Sequence, residues 1–385
     1  MQAWKMTTIA ECSTILGDGL HGTPKYDENG EYAFINGNNL HNGKIVIKPD
    51  TKRVGLSEYE KHKKELTDRT VLVSINGTLG NVAVYNGEKV ILGKSACYFN
   101  VSTDCDVQFM RYVVSSPRFQ QYINSVATGT TIKNVSLKQM REYSFLIPEL
   151  EEQQRIAKVL HLLDKKIENN QKINDNLLQQ AQALYGKFFP YDVADELPAG
   201  WRVGTVGEIV EIHDSKRIPL SGAQRAKMEK RIYPYYGAAS LMDYVDEYIF
   251  DGIYLLLGED GTVVDDAGYP ILQYVWGQFW VNNHAHILTG KLGFNVESLL
   301  LLFKRTPVKS IVTGAVQPKI SQANLRSVQV VIPPQPELDV FNELIRPMFD
   351  QIRQNQDQNK ALAAMRDALL PKLMSGEVDV SAIQI

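Results

Sequence analysis

The sequence predicts an α+β protein in which two globular α/β domains are separated by two long antiparallel coiled-coil helices, with a pseudo-two-fold internal repeat. Three observations lead to this prediction. The 385 residues are enough for two or three domains. The chain resembles itself at an offset of 185 residues. One stretch in each half places apolar residues at alternating steps of four and three, which is typical of a coiled coil.

The composition excludes several classes of protein. Lysine plus arginine is 41 and aspartate plus glutamate is 44, so the formal net charge of −3 excludes a uniformly basic nucleic-acid-binding surface. Cys12, Cys97 and Cys105 follow no metal-ligand spacing, and an odd count argues against a disulfide framework, so we expect a reducing, cytoplasmic compartment. No apolar run approaches the roughly 20 residues that cross a bilayer, and the N-terminus lacks an apolar signal region. We therefore expect neither secretion nor membrane insertion.

The repeat is clearest at the end of each half. Thr128-Gly129 aligns with Thr313-Gly314, and Pro148 aligns with Pro333, at offset 185 without a gap. The segments upstream are related more loosely, so the loops differ in length while the framework is kept. At offsets between 183 and 201, Trp4–Glu11 aligns with Trp201–Glu208, Tyr32–Leu40 with Tyr233–Leu241, Asp68–Ile75 with Asp251–Gly258, and Ser95–Phe99 with His284–Leu288.

Each half is predicted to begin with a globular domain and to end with a long helix. Short β-type runs at 71–75, 82–85, 254–257 and 284–288 are separated by Gly, Asn and Asp turns, and helices are expected at 107–115 and 296–303. Each long helix follows a proline and has acidic residues in its first turns, which suit the positive end of the helix dipole. We therefore predict domains at 1–150 and 191–335, with helical segments at 151–190 and 336–385.

Each long helix carries one apolar stripe, which must be buried for the helix to be stable in water. Its duplicate is the natural partner, in an antiparallel arrangement. Asn170 and Asn174 match Asn355 and Asn359 at offset 185 and could fix the register of the pair; a solvated outer face is the alternative. The predicted seam comprises Ile156, Leu160, Leu163, Ile167, Leu177 and Leu184 in the first helix and Phe341, Ile345, Met348, Ile352, Leu362 and Leu369 in the second.

An antiparallel helix pair would place two unlike globular domains at opposite ends, facing the same way. Such an arrangement suits a ligand with two separated recognition patches. Duplex DNA read over about one helical turn, roughly 34–36 Å, is the leading candidate.

Several motifs then carry a resemblance to a known family. They include Thr128-Gly-Thr-Thr-Ile-Lys-Asn-Val-Ser136 with Phe145-Leu-Ile-Pro148, Glu151-Glu-Gln-Gln-Arg-Ile-Ala-Lys-Val-Leu160, Asn282-Asn-His-Ala-His-Ile287, and the terminal Leu369-Leu-Pro-Lys-Leu-Met-Ser-Gly-Glu-Val-Asp379. With these motifs the whole chain resembles the specificity subunits of type I restriction-modification systems, in the family's order of variable and conserved regions. The chain departs from an exact repeat at one place. The first helix ends with Tyr185-Gly-Lys-Phe-Phe189 and is not followed by the Gly-Glu-Val-Asp sequence that follows the second helix.

The resemblance implies that each variable domain is a target recognition domain that reads one half of a split double-stranded DNA sequence. It also implies that the helices separate the two domains and bind two modification (methyltransferase) subunits, which use S-adenosylmethionine to methylate adenine. Restriction subunits, which are ATP-driven motors with a Mg-dependent nuclease, join that core. The present chain would be a non-catalytic subunit without a cofactor or metal of its own, located in the cytoplasm and on the nucleoid when bound to DNA.

Loops that place polar and basic side chains beside glycine are the candidates for DNA contact, because base edges are read by polar groups and phosphates are bound by Lys, Arg and main-chain amides. Residues 1–150 carry a net charge of +2 and residues 197–333 a net charge of 0, so we expect the isolated chain to bind DNA weakly. The candidates are His21, Thr23, Lys25, Tyr26, Asn36, Asn38, Asn76, Thr78, Thr130, Lys133 and Asn134 in the first domain and Lys216, Arg217, Tyr235, Tyr236, Thr262, Gln317 and Lys319 in the second.

Other chemistry is less well supported by the sequence. Gly87-Glu-Lys-Val-Ile-Leu-Gly-Lys-Ser95 is one residue too long for a phosphate-binding loop, and the residues from Ala96 onward continue as a strand instead of a helix. The i, i+2 pair His284 and His286 invites a metal site, but no cysteine or carboxylate lies at ligand spacing nearby, so buried hydrogen bonding or DNA contact is favoured.

Two other functions remain open. One is a protein scaffold without DNA binding, whose two globular domains bind proteins, in which case the basic loops need not face one way. The other is a stand-alone endonuclease, for which Pro49-Asp50-Thr-Lys52 superficially suggests a motif, although a second acidic element does not follow at suitable spacing.

Overall fold

The computed structural model describes residues 4–314 and 316–380, which form two compact units. The described residues of Met1–Glu168 and Gln358–Ile385 form the first unit, and Asn169–Asp357 forms the second. Each unit therefore contains one globular part and a portion of both long helices. This division differs from the four segments predicted from sequence, which placed each long helix outside the globular domains.

The first unit contains eleven strands and four short helices besides the long helix that leaves it. The strands are β1 (Lys5–Thr8), β2 (Ser13–Asp18), β3 (Tyr32–Ile35), β4 (Leu40–His41), β5 (Lys44–Ile45), β6 (Arg53–Val54), β7 (Thr70–Ser74), β8 (Val82–Val84), β9 (Val90–Leu92), β10 (Ala96–Val101) and β11 (Ser144–Ile147). The helices are α1 (Leu56–His62), α2 (Val107–Ser115), α3 (Pro117–Val126), α4 (Leu137–Glu142) and the long α5 (Leu150–Phe188).

The second unit repeats this arrangement with fewer, longer strands. The strands are β12 (Arg202–Thr205), β13 (Val210–Ile212), β14 (Tyr233–Tyr236), β15 (Leu241–Val245), β16 (Phe250–Gly258), β17 (Leu272–Val281), β18 (Ala285–Gly290) and β19 (Gln329–Ile332). The helices are α6 (Val206–Ile209), α7 (Gly222–Ala226), α8 (Val296–Phe303), α9 (Gln322–Ser327) and the long α10 (Gln335–Met374).

The central sheet of each unit contains four antiparallel strands, and in the second unit β14 joins them by parallel pairing with β17. In the first unit the strand order is β2-β10-β7-β8, and in the second the corresponding strands lie in the order β13-β18-β16-β17, extended by β14 and β15. The strands are apolar along most of their length, as expected for a sheet covered on both faces: all five residues of β7 and all six of β10 are buried. Helices α2 and α8 have the bounds that the sequence predicted.

The strand registers confirm the internal repeat. Lys5 lies opposite Ile147 and Arg202 opposite Ile332, which preserves the predicted alignment at the start and end of each half. Ala96 lies opposite Ser74, and Ala285 opposite Gly258, which confirms the alignment of Ser95–Phe99 with His284–Leu288.

One predicted alignment is wrong by a single residue. The sequence alignment of the two repeats matched Ile75 to Gly258, whereas the strand registers match Ser74 to Gly258. Because side chains alternate between the two faces of a strand, a shift of one residue exchanges the faces. In the corrected alignment Ile75 is equivalent to Glu259, so an apolar side chain in one unit corresponds to a carboxylate in the other.

The long helices pack against each other in each unit, and they are antiparallel in both. In the first unit, Ile156 and Leu160 share a core with Leu370 and Leu373. In the second, Ala181 and Tyr185 share a core with Phe341, Ile345 and Ile352. The seam residues Leu163, Ile167, Leu177, Leu184, Met348, Leu362 and Leu369 are partly buried.

The asparagine set lies in the seam and not on a solvated outer face. Asn174 and Asn355 are buried, and Asn355 Nδ2 donates a hydrogen bond of 2.8 Å to Asn174 Oδ1. Asn174 Nδ2 donates in turn to the carbonyl of Ile352 at 3.2 Å. A buried amide pair of this kind is satisfied in one register only, which is how polar residues specify helix pairing.

Candidate nucleic-acid interface

Five loops of the first unit meet at one edge of its sheet. Main-chain hydrogen bonds join three of them: Ile75 N donates to the Ser95 carbonyl at 2.9 Å, Val135 N to the Ile75 carbonyl at 2.9 Å, and Gly77 N to the Lys133 carbonyl at 3.0 Å. Gly37 N, in a fourth loop, donates to Ser95 Oγ at 2.9 Å. We call these loops, at residues 18–26, 36–39, 75–78, 93–95 and 128–136, the first loop cluster.

The second unit has the same main-chain frame at the equivalent positions. Glu259 N donates to the His284 carbonyl at 2.8 Å, Ile320 N to the Glu259 carbonyl at 2.8 Å, and Gly261 N to the Pro318 carbonyl at 3.0 Å. We call the loops at residues 213–217, 236–240, 258–262, 282–284 and 313–321 the second loop cluster. Two copies of one frame therefore present two different sets of side chains.

A glycine fixes the shape of the last loop in each cluster. Gly129 and Gly314 have φ of +93° and +87°. A Cβ at Gly129 would lie 2.3 Å from the carbonyl oxygen of Ile132, and one at Gly314 would lie 2.2 Å from that of Gln317. Only glycine fits both the backbone conformation and the close approach, which explains the repeated Thr-Gly pair.

The first loop cluster surrounds an open cavity of about 530 Å³, which is lined by Asp18, His21, Asn76, Lys94 and Asn134 among others. His21 Nε2 lies 2.6 Å from Asp18 Oδ2, and Asn76 Nδ2 donates to Asn134 Oδ1 at 3.1 Å. Donors and acceptors that converge on an accessible cavity can hydrogen-bond to base edges. Three of the five side chains were predicted as DNA contacts; Asp18 was not, and Lys94 was considered only as part of a nucleotide loop.

The other candidates of the first unit lie around the same cluster. Asn36 Oδ1 accepts a hydrogen bond of 2.9 Å from Ser95 Oγ, while Tyr26, Asn36 and Asn38 line a neighbouring shallow cavity with Lys48 and Lys52. The remaining candidates are all exposed: Thr23, Lys25, Thr78, Thr130 and Lys133.

Charged side chains fill the corresponding place in the second loop cluster. Arg217 Nη1 contacts Glu259 Oε2, and its Nη2 lies 3.3 Å from Asp214 Oδ2. His286 Nδ1 lies 2.6 Å from Asp214 Oδ2, and Lys319 Nζ lies 3.3 Å from Glu259 Oε1. We call Asp214, Arg217, Glu259, His286 and Lys319 the charged cluster.

Asp214 is ionised within this cluster. Burial by itself raises the pKa of the Asp214 carboxyl, but the hydrogen bond from His286, the positive charge on that ring and the hydrogen bond from the Ile287 amide outweigh it, so the pKa lies below its ordinary value. Gln322 Nε2 also donates to Asp214 Oδ2, at 2.7 Å.

Two predicted DNA contacts are corrected by their positions. Tyr235 is 1% exposed and packs with Val245 and Trp280, so its ring belongs to the core. Arg217 is mostly buried and bound to Asp214 and Glu259, with its Nη1 also donating to the Ala285 carbonyl at 2.8 Å. Both side chains are therefore structural in this conformation, because their polar atoms are occupied within the unit.

The remaining candidates of the second unit are accessible to different degrees. Lys216, Thr262, Gln317 and Lys319 are exposed. Tyr236 is half-buried beside Phe279, and burial raises the pKa of its hydroxyl.

His286 makes the buried hydrogen bonds that the sequence favoured, but carboxylates that are distant in the sequence also lie close to it. Asp214, Glu259 and His286 place one ligand atom each within 4.8 Å of one another, although they are far apart in sequence. However, Arg217 contacts both carboxylates and His286 bonds directly to one of them, so their negative charge is already balanced by protein cations. The geometry is better described as a buried ion network than as a metal site.

The Asp18–His21 pair of the first unit and the Asp214–Arg217 pair of the second occupy equivalent positions in the repeat. The sequence could have shown this equivalence. Asp18 lies opposite Cys97 in the first sheet, and His286, which corresponds to Cys97 in the repeat, contacts Asp214 in the second. Each aspartate is followed three residues later by a basic residue, His21 or Arg217. An alignment at offset 196 around these strand ends would have identified the Asp-x-x-His and Asp-x-x-Arg pairs.

The segment that resembles a phosphate-binding loop has a different structure. Gly87–Ser95 contains strand β9, and β10 starts at Ala96, as the sequence predicted, so no helix N-terminus follows the loop. The positive end of a helix dipole, which stabilises phosphate in such loops, is therefore missing at this place. In the described part of the chain, moreover, every helix falls short of the apolar length that a bilayer requires.

Comparison with known proteins gives consistent results. The family model described as "Type I restriction modification DNA specificity domain" matches residues 1–179 and again 198–363. The MjaIX specificity subunit of a type I restriction enzyme from Methanocaldococcus jannaschii is 24% identical over 94% of this chain and 87% of its own length. The EcoprrI specificity subunit from Escherichia coli is 24% identical over 38% of this chain and 35% of its own length.

A solved structure is similar over nearly the whole chain. The S subunit of a type I restriction-modification system from M. genitalium superposes with a TM-score of 0.57 at 20% identity, covering 97% of this chain and 96% of that one. At this level of identity the similarity establishes the fold, including its two repeated units.

Proposed function

The chain belongs to the type I restriction-modification DNA specificity family, and from this premise we propose that its two loop clusters read the two halves of one bipartite DNA target. The observation that carries this proposal is the repeated frame with unlike side chains. Three equivalent main-chain bonds join the loops in both units, while the side chains at these positions differ. Two recognition surfaces of common origin but different chemistry suit two different half-sites.

The chain acts as the specificity subunit, and the enzymatic steps belong to its partners. In this proposal the paired helices bind two modification subunits, which hold S-adenosylmethionine and methylate adenine, and restriction subunits with ATP and Mg join the complex. The contribution of this chain is to choose the site at which they act. Because its domains carry little net positive charge, most of the phosphate binding comes from the partners, and the isolated chain binds DNA weakly.

Sequencing of methylated bases in the host tests the proposal. Deletion of this gene should abolish N6-methyladenine at one bipartite motif, and restoring the gene should restore it. Unchanged methylation in the deletion strain, in a host whose modification genes are expressed, would contradict the proposal.

The protein-scaffold alternative makes a different prediction. If the globular parts bound only proteins, substitutions in the exposed loops would leave the methylated motif intact and would change only which proteins co-purify. The similarity to specificity subunits over both halves does not favour this alternative.

A further inference from the structure

The imidazole of His286 is completely buried in the second loop cluster, and both of its ring nitrogens face acceptors. Nδ1 lies 2.6 Å from Asp214 Oδ2, and Nε2 lies 2.8 Å from the main-chain carbonyl oxygen of Ile320. A carbonyl oxygen can only accept a hydrogen bond, so Nε2 carries a proton.

The carboxylate leaves no alternative at the other nitrogen. Asp214 Oδ1 accepts a hydrogen bond of 3.0 Å from the Ile287 amide, and Oδ2 accepts one of 2.7 Å from Gln322 Nε2. The pKa of the Asp214 carboxyl lies below its ordinary value, so the group is ionised and has no proton to give, and Nδ1 of His286 must be the donor. A ring that donates from both nitrogens is a positively charged imidazolium.

Charged side chains surround the ring. Asp214 follows β13, Arg217 lies in the turn after it, Glu259 follows β16, and Lys319 lies in the last loop, where it contacts Glu259. Glu259 Oε2 lies 3.7 Å from Nδ1, and His284, two residues before His286, pairs with Asp260. Because Arg217 and Lys319 already balance the two carboxylates, the second proton of the ring is held by its direct hydrogen bonds to Asp214 and to the Ile320 carbonyl.

We propose that His286 is a positioning residue for DNA recognition by the second unit: as an imidazolium, it joins the loop that carries Lys216 to the loop that carries Lys319. The proposal rests on the proposed function and adds a regulated element to it. The hydrogen bonds of His286 go to Asp214, which lies two residues before Lys216, and to Ile320, which lies one residue after Lys319. Without one of its two ring protons, His286 would leave one acceptor without a donor, and the link between the two loops would be weaker.

Among the described residues of the first unit, no histidine takes the place of His286. The equivalent residue is Cys97, which lies opposite Asp18. Its side chain has no ring nitrogens, so it cannot bond to Asp18 and to the last loop at the same time. The first unit has a histidine of its own beside an aspartate, His21 next to Asp18, so effects on DNA binding are compared between variants and not taken from the wild type alone.

Nitrogen-15 NMR of histidine-labelled full-length chain tests the protonation state without DNA. The resonance that disappears in His286→Gln should show both nitrogens at imidazolium shifts at pH 7. A neutral-tautomer spectrum for His286 at pH 7 would overturn the proposal, whether or not the chain recognises DNA.

Binding of duplex DNA by the complex with modification subunits tests the positioning role. In a His21→Gln background, His286→Gln keeps one donor and should weaken binding of the native target about tenfold at pH 6.5, as expected for the loss of one charged hydrogen bond. Under alkaline conditions that deprotonate the ring, the two proteins should bind DNA equally. His62→Gln, which changes a histidine that pairs with Glu58 on α1, is the matched control and should bind as the background does.

Equal affinity of the His286→Gln complex and its background at every pH would refute the positioning role. If His286→Gln fails to assemble, the pH dependence of the His21→Gln complex decides: it must lose affinity for the native target, and selectivity at one half-site, as pH rises. A complex with no sequence preference at any pH would contradict the proposed function instead, and the NMR result would still stand by itself.

Discussion

Adjacent residues of the second loop cluster have different roles although both are cations. Lys216 is exposed, whereas Arg217 is bound to Asp214 and Glu259 inside the unit. The sequence presents them as a single basic pair, because the two carboxylates that capture Arg217 come from different parts of the chain. Burial and partner residues, and not charge alone, decide which of the two side chains can reach a phosphate.

Separate substitutions should distinguish these roles. Lys216→Ala should weaken DNA binding by the assembled complex similarly on all sequences, and should lower the slope of log affinity against log salt by about one. Its melting temperature should not change. Arg217→Ala should destabilise the second unit by about 3 kcal/mol, because it leaves buried carboxylates without a partner.

Salt-dependent binding and thermal denaturation of both variants measure these effects. An Arg217→Ala protein as stable as the wild type would show that the ion network does not support the fold. A Lys216→Ala protein with reduced stability would remove the distinction between the two residues.

Among the elements, a short helix of each unit is tied to a long helix by a partly buried ion pair. In the first unit, Asp164 on α5 accepts hydrogen bonds of 2.8 Å from Arg111 on α2 and of 2.9 Å from Arg366 on α10. In the second unit, Arg353 on α10 donates to Glu297 on α8 at 2.8 Å. These ion pairs involve different residues but join equivalent elements, so in each unit a short helix of the globular part is fixed to a long helix.

The ion pairs of Asp164 with Arg111 and Arg366 predict that the stability of the first unit depends on pH. Burial raises the pKa of the Asp164 carboxyl. The charge on Arg111 and the hydrogen bonds from Arg366, Tyr112 and Arg111 lower this pKa by more than burial raises it, so it lies below its ordinary value. A lowered pKa means that the stabilisation is complete at neutral pH and is lost as pH falls below about 4. Asp164→Asn should cost about 3 kcal/mol at pH 7 and progressively less in acid.

Denaturant unfolding of the wild type and of Asp164→Asn across pH 3–7 checks this expectation. Asp367→Asn changes an exposed carboxylate that also pairs with Arg366, and it serves as the control with little effect at any pH. A difference between wild type and Asp164→Asn that stays constant down to pH 3 would show that the lost stability has another origin.

For the whole molecule, the sequence predicted the framework better than the recognition surfaces. The long helices, the bounds of α2 and α8, and the strand alignments of the first and last segments depend on local periodicity and on a repeat that a single sequence reveals. The charged cluster could not be predicted, because Asp214, Glu259, His286 and Lys319 come together only through sheet topology. The one-residue error at Ile75 has the same cause: register is set by pairing between strands, which the local pattern does not specify.

The buried position of Tyr235 illustrates a further limit. Its sequence context, beside a glycine in a polar loop, resembles that of a contact residue, but alternation along β14 directs its ring inward, where it packs with Val245 and Trp280. The exposed candidates of both clusters remain predictions for DNA contact.

The central claim is that each loop cluster reads its own half of one DNA target, and methylated-base sequencing of two matched variants tests it most directly. One variant replaces Asn76 and Asn134 of the first cluster with alanine, and the other replaces Thr262 and Gln317 of the second. We predict that each variant relaxes base preference in one half of the methylated motif only, with the opposite half and the gap between them unchanged. If both variants altered the same half, or if either altered both halves together, the assignment of one reading surface to each unit would be contradicted.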